Sequence, residues 1–132
     1  MSQDNVEIVR NAYDGFRGGD LDAVLDLLDS EVELRDDPRL GDESYHGHQG
    51  FVSFLREWLE SWESFRIEPQ DYVDAGNQVV AVVRQFGRGK GSGLELDVTV
   101  AHVWVLRNGK IVELNVYLDP ADALRAVCLG AG

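Results

Sequence analysis

The chain has 132 residues, enough for one compact domain spanning residues 1–132 and too few for two ordinary ones. Its 24 acidic and 12 basic side chains leave a net charge of −12, which lacks the Lys/Arg footprint that nucleic acid or an anionic membrane surface requires. Hydrophobic content of 44% supports a real core, yet no apolar run approaches the roughly 20 residues of a spanning helix. The opening MSQDNVEIVR has no signal-peptide pattern and Cys128 stands alone, so a cytoplasmic protein without internal disulfides is expected.

The first helix is written by Val6, Val9, Tyr13 and Phe16, spaced three, four and three. Gly18-Gly19 ends it. Asp20 is a ready N-cap for a second helix whose buried stripe is Leu21, Val24, Leu25 and Leu28. A short strand follows from Glu31 to Arg35, and DDPRLGDESYHGHQG, from Asp36 to Gly50, reads as a loop. Phe51, Phe54, Leu55, Trp58, Leu59 and Trp62 then share one face of a third helix.

Four strand candidates come next. FRIEPQDYVD contains Pro69, which suits an edge or a bulge. QVVAVVRQF and LELDVTVAHVWVL flank the glycine-rich GRGKGSG. That segment joins two strands and opens no helix, so it reads as a hairpin and not as a phosphate cradle. IVELNVYL is tied to the preceding strand through Arg107-Asn108-Gly109-Lys110, a strong hairpin signal. Asp119-Pro120 opens a final short helix. The order ααβαββββα predicts an α+β fold with helices against a curved antiparallel sheet.

Three stretches, AYDGFRGGDLDAVLDLLDSEVEL, YHGHQGFVSFLREWL and HVWVLRNGKIVELNVYLDP, resemble the SnoaL-like group of the nuclear transport factor 2-like superfamily. The resemblance implies a conical barrel: a curved antiparallel sheet wrapped around a long helix, with an apolar cavity inside. Relatives of this kind include polyketide cyclases, ketosteroid isomerases, epoxide hydrolases and non-catalytic binders, so fold alone selects no chemistry.

Carried over residue by residue, each known mechanism loses a part. The isomerase base lies just after the first strand, where Asp36 or Asp37 stands. The isomerase tyrosine falls on Ala12, one residue from Tyr13, and its protonated Asp falls on Ala101 before His102. The cyclase acid falls on Val116. The Arg-x-Asp of limonene-type hydrolases fails because Arg84 is followed by Phe86 two residues on.

Register with the isomerase points Val80, Val82, Arg84 and Phe86 into the cavity, together with Thr99, Ala101, Val103 and Val105. Leu114, Val116 and Leu118 join them, with Phe54 and Trp58 from the third helix and Tyr13 or Phe16 from the first. Arg84 becomes the cavity's fixed positive charge, with Asp36, Asp37 or Asp97 as its partner. The catalytic candidates are Asp36 for proton transfer and Arg84 for an oxyanion or carboxylate, with Tyr13 or His46 orienting the ligand. Periodicity disagrees with this register. The face Leu94, Leu96, Val98, Val100, His102, Trp104, Leu106 is the more apolar one and would be buried on pattern alone. The resemblance puts it outside, which requires a homodimer through His102, Trp104, Asn115 and Tyr117. A bulge would turn His102 inward instead.

The expected activity is binding of a small hydrophobic metabolite bearing a carbonyl or carboxylate, with acid–base isomerase, cyclase or hydrolase chemistry. The alternative is a non-catalytic binding or dimeric interaction module. His46 and His48 flank Gly47, a spacing too sparse for a metal site, so no metal and no cofactor are expected.

Overall fold

The computed structural model describes residues 2–40 and 43–131. Helix α1 (Ser2–Arg17) buries Val9, Ala12 and Tyr13, and Asp20 caps α2 (Leu21–Asp26) by accepting the Ala23 N–H. Strand β1 (Leu28–Arg35) begins three residues before the expected start, because Leu28 pairs with Ile111 across the sheet and does not continue the helical stripe. A 3-10 turn (Pro38–Leu40) and a three-residue strand β2 (Ser44–His46) occupy the expected loop. β2 is too short for a period-two pattern to declare it; its antiparallel pairing with β1 makes it a strand. Helix α3 (Gly47–Glu60) follows, then β3 (Trp62–Ala75), β4 (Gln78–Gly89), β5 (Glu95–Arg107), β6 (Lys110–Tyr117) and α4 (Pro120–Ala131).

The fold is α+β with a curved sheet. Its described strands run in the order β2-β1-β6-β5-β4-β3, and the sheet is mixed and unclosed. β1 lies parallel to β6, a pairing that no local pattern could announce because it joins residues some 80 positions apart. Irregularities at Leu28/Glu33, Trp62/Ser64, Pro69/Asp71 and Val105/Leu106 interrupt the ladders, and bulges of this kind bend a strand and increase its twist. Pro69 sits at one of them, on the edge strand β3, where its missing N–H removes no essential ladder bond. Asn108 and Gly109 both have positive φ, 53° and 78°, as the tight β5–β6 turn requires. At Gly87 a Cβ would lie 2.9 Å from the Trp62 ring, so the glycine lets that indole lie on β4.

The two sheet faces are covered by different elements. Val79, Ala81, Val83, Val100 and Trp104 pack with α1, α2 and Phe51 of α3 in the main core. On the opposite face Val80, Ala101 and Val103 pack against Ala123 and Val127 of α4 in a second, smaller cluster. α4 is capped by Asp119, which accepts the Ala121 N–H. This division of cover decides which strand face meets the cavity.

Candidate functional site

Between the inner sheet face and the helices lies an apolar cavity of about 130 Å³. α1 contributes Ala12, Tyr13 and Phe16; α3 contributes Phe51, Phe54, Leu55 and Trp58. From the sheet come Phe65 and Ile67 of β3, Gln85 of β4, Val100, His102 and Trp104 of β5, and Leu114 and Val116 of β6. Aromatic edges build much of the wall. The Trp58 and Phe65 rings meet edge-on at 5.6 Å, and Phe16 meets Phe65 the same way at 6.4 Å.

Few polar groups interrupt this lining. Asp36 follows β1 and lines the cavity beside Leu118. Its Oδ1 accepts the Asp37 N–H at 2.9 Å, and among the described residues Oδ2 has no hydrogen-bond partner. Desolvation raises the Asp36 carboxyl above its usual range; the Asp37 N–H opposes this, and the charges of Asp37 and Glu43 reinforce it. A carboxyl with raised proton affinity at an apolar wall is the ordinary requirement for proton transfer near neutral pH.

The second polar group is a buried chain of three rings. Trp104 Nε1–H donates to the Tyr13 hydroxyl oxygen at 3.0 Å, and that hydroxyl lies 2.6 Å from His102 Nδ1. Burial pushes the Tyr13 phenol well above its usual value, so it keeps its proton. Burial also lowers the His102 imidazole to about 4, so it is neutral at pH 7. Arg35 pairs with Asn115 and Val116 with His102 on the consecutive strands β1, β6 and β5. Asp36, one residue beyond Arg35, therefore lies about two strand spacings, roughly 10 Å of backbone, from His102.

A model of the SnoaL-like domain matches residues 9–114. The chain belongs to the SnoaL-like domain family. None of the curated proteins matches the sequence. Among solved structures, this SnoaL-like domain resembles TerC co-crystallised with polyporic acid, at 22% identity and a TM-score of 0.79, over 94% of this chain and 98% of that one. It resembles an NTF2-like protein of unknown function from Burkholderia pseudomallei at 24% identity and a TM-score of 0.78, over 94% and 97%. A protein from Jannaschia sp. CCS1, assigned as a SnoaL-like polyketide cyclase, matches at 19% identity and a TM-score of 0.79, over 95% and 92%. At these identities the likeness establishes the fold.

The SnoaL-like domain brings Tyr13, Phe16, Asp36, Phe54, Trp58, Leu114 and Val116 to one cavity. The register expected for β4 and β5 is corrected by one residue. Val82, Arg84, Phe86, Asp97, Thr99, Ala101 and Val103 belong to the outer face, because the opposite, more apolar face of β5 packs on the helices and α4 covers Ala101 and Val103. The β4–β5 ladder runs without a bulge from Gln78↔Val105 to Arg88↔Glu95, so His102 and Trp104 turn inward on strand period alone. They cannot form an outer interface. Asn115 and Tyr117 do lie on the outer side, half-buried, and Tyr117 packs against the α4 cluster.

Arg84 is exposed and makes a bidentate pair with Asp97, both contacts 2.8 Å, which holds the Asp97 carboxyl below its usual range. Its cation also sits 4.5 Å from the centre of the Phe86 ring, as does that of Arg66. Asp37 is 2% exposed and does not line the cavity. Burial alone would raise its carboxyl, but the N–H groups of Leu118 and Arg39 and the Arg39 guanidinium outweigh burial and hold it low. These contacts pin the end of β1 to the end of β6, which positions Asp36 next door. His46 is exposed and paired with Glu31 at 2.8 Å, away from the cavity. The cavity also takes residues that the borrowed register leaves out, among them Gln85 of β4 and Val100, His102 and Trp104 of β5; for the β5 residues the signal was present in the apolar face of that strand. Among the described residues no cluster of His, Cys, Asp and Glu could hold a metal ion, and no helix is long and apolar enough to cross a membrane.

Proposed function

We propose that this SnoaL-like domain binds a compact apolar metabolite carrying a carbonyl or carboxylate group and performs cofactor-independent acid–base chemistry on it. The observation that carries the reading is Asp36, a half-buried carboxyl with raised proton affinity on an otherwise aromatic and aliphatic wall. In the simplest reaction, Asp36 takes a proton from the carbon beside a carbonyl, and the electron pair moves to the carbonyl oxygen. Returning the proton to another carbon is isomerisation; attack of the resulting carbanion on a second carbonyl of the same molecule, whose oxygen then takes the proton back from Asp36, is cyclisation. TerC was co-crystallised with polyporic acid, and a protein with a ketosteroid isomerase-like fold from Catenulispora acidiphila was crystallised with trimethylamine, so organic ligands suit this fold. The volume of about 130 Å³ favours a single ring or short chain, since an engineered cavity near 150 Å³ accommodates benzene.

A second reading, a non-catalytic binder with the same cavity, is favoured by a lining that among the described residues sets no cation beside Asp36 to share in acid–base chemistry. Solvent deuterium exchange separates the two. Cyclohexanone incubated with the protein in D2O is followed by NMR at its α-carbons. Exchange faster than in buffer, and lost in Asp36→Asn, supports the enzyme; exchange at the buffer rate leaves the binder. The reading also includes a cytoplasmic setting and a homodimer through the outer sheet face. There the arginines 66, 84 and 88 alternate with Glu68, Glu95 and Asp97 around Phe86, so two copies could offer each other opposite charges. Sedimentation of Phe86→Glu against the wild type tests the dimer: equal mass for both proteins argues against that surface.

A further inference from the structure

We propose that Trp104 and Tyr13 hold His102 as the Nε2–H tautomer, so that the imidazole presents one neutral hydrogen-bond donor to the ligand and the cavity takes an uncharged acceptor, a ketone, aldehyde or ester oxygen. The inference rests on the small-molecule reading above and specifies its ligand.

An indole N–H can only donate, so Trp104 Nε1, 3.0 Å from the Tyr13 oxygen, uses that oxygen as an acceptor. The Tyr13 hydroxyl then has one proton to place, and His102 Nδ1 at 2.6 Å is its hydrogen-bond partner among the described residues. If Nδ1 carried the imidazole proton instead, the phenol would accept two hydrogen bonds and leave its own proton buried without an acceptor, which is costly. Tyr13 therefore donates, Nδ1 accepts, and the proton of the neutral ring resides on Nε2. That atom has no hydrogen-bond partner among the described residues. Among the described residues the buried side-chain atom left unpaired is Trp62 Nε1 and not His102 Nε2, and His102 contributes to the cavity wall. A donor that is neutral and desolvated pairs well with a carbonyl oxygen, and the hydrogen bond strengthens as that oxygen gains negative charge. Tyr13 and Trp104 are positioning residues in this scheme. Nothing in their role requires contact with the ligand.

The test reads the tautomer directly. Long-range proton–nitrogen correlation spectra of 15N-histidine-labelled protein at pH 7 should give the Nε2–H signature for His102 in the absence of any ligand. In Tyr13→Phe, which keeps the ring and removes the proton donor, that preference should relax to a mixture. An Nδ1–H or protonated His102 in the wild type overturns the proposal whether or not a ligand is found. The ligand half uses two probes of equal shape, cyclohexanone and methylenecyclohexane, which differ in the acceptor alone. The ketone should bind the wild type about fivefold or more tightly than the alkene, the value of one buried hydrogen bond, and His102→Asn should erase the difference. Equal affinities in the wild type overturn the donor role. Failure of both probes to bind, beside a clear Nε2–H signature, would instead sink the small-molecule reading and the ligand half with it.

Discussion

Acidification from pH 7 to pH 5 should weaken this fold through His102. The imidazole is 8% exposed, and burial lowers it to about 4 from its ordinary value of 6.5. Its folded-state affinity for protons is thus below its unfolded-state affinity, so the unfolded chain binds more protons between these values and stability falls with pH. The contribution is complete above pH 6.5 and declines towards pH 4. Integrating from pH 7 to pH 5 gives a loss of about 2 kcal/mol from this group. Urea unfolding at the two pH values, followed by tryptophan fluorescence, measures it. His102→Asn is the reference, because the asparagine oxygen occupies the place of Nδ1, can accept from Tyr13, and does not titrate. The variant should lose about 2 kcal/mol less than the wild type over this interval. Parallel losses in both proteins would mean that His102 is not a buried neutral imidazole, and the reasoning about its tautomer would go with it.

Other perturbations follow from the same geometry. Asp37→Ala leaves the Leu118 and Arg39 N–H groups without their carboxylate and should cost about 3 kcal/mol in urea unfolding, against near-neutrality if these bonds are solvent-exposed. In the wild type the lowered Asp37 carboxyl contributes stability above its ordinary 3.8, and this is lost as pH falls through the folded value. Leu34→Ala, at a site 1% exposed on the cavity wall, should cost roughly 2–5 kcal/mol and admit a larger ligand in a thermal-shift screen. Arg84→Met should leave ligand-induced thermal shifts intact, since the guanidinium lies outside the cavity on Asp97; a lost shift would return Arg84 to the site. Gly87→Ala should lower the melting temperature by displacing the Trp62 ring.

Local pattern was sufficient for the main elements, though not for β2 or for the start of β1. The spacing of apolar residues in α1, the Asp20 cap, the Asn108-Gly109 turn and the edge role of Pro69 appear as read, whereas the α3 stripe stops short: the helix ends at Glu60, Leu59 is exposed and Trp62 begins β3. It was sufficient for more than the resemblance allowed: the apolar stripe through Val100, His102 and Trp104 marked the inner face, and register borrowed from a distant relative moved it outward. A strand shifted by one residue exchanges both faces, so a small alignment error turned Arg84 inward and His102 outward together.

Sequence alone therefore determined the fold class, the helices, the hairpins and the apolar face of β5, because these depend on neighbours three, four or two positions away. Tertiary structure decided the rest. α4 folding over Val80 and Ala101 covered one part of the outer face, and β1 pairing parallel to β6 carried Asp36 to the cavity wall while its neighbour Asp37 turned to the backbone. The contact of Tyr13 with His102 spans 89 positions. No periodicity encodes such a meeting; it exists once the sheet has curved and the first helix has packed against it.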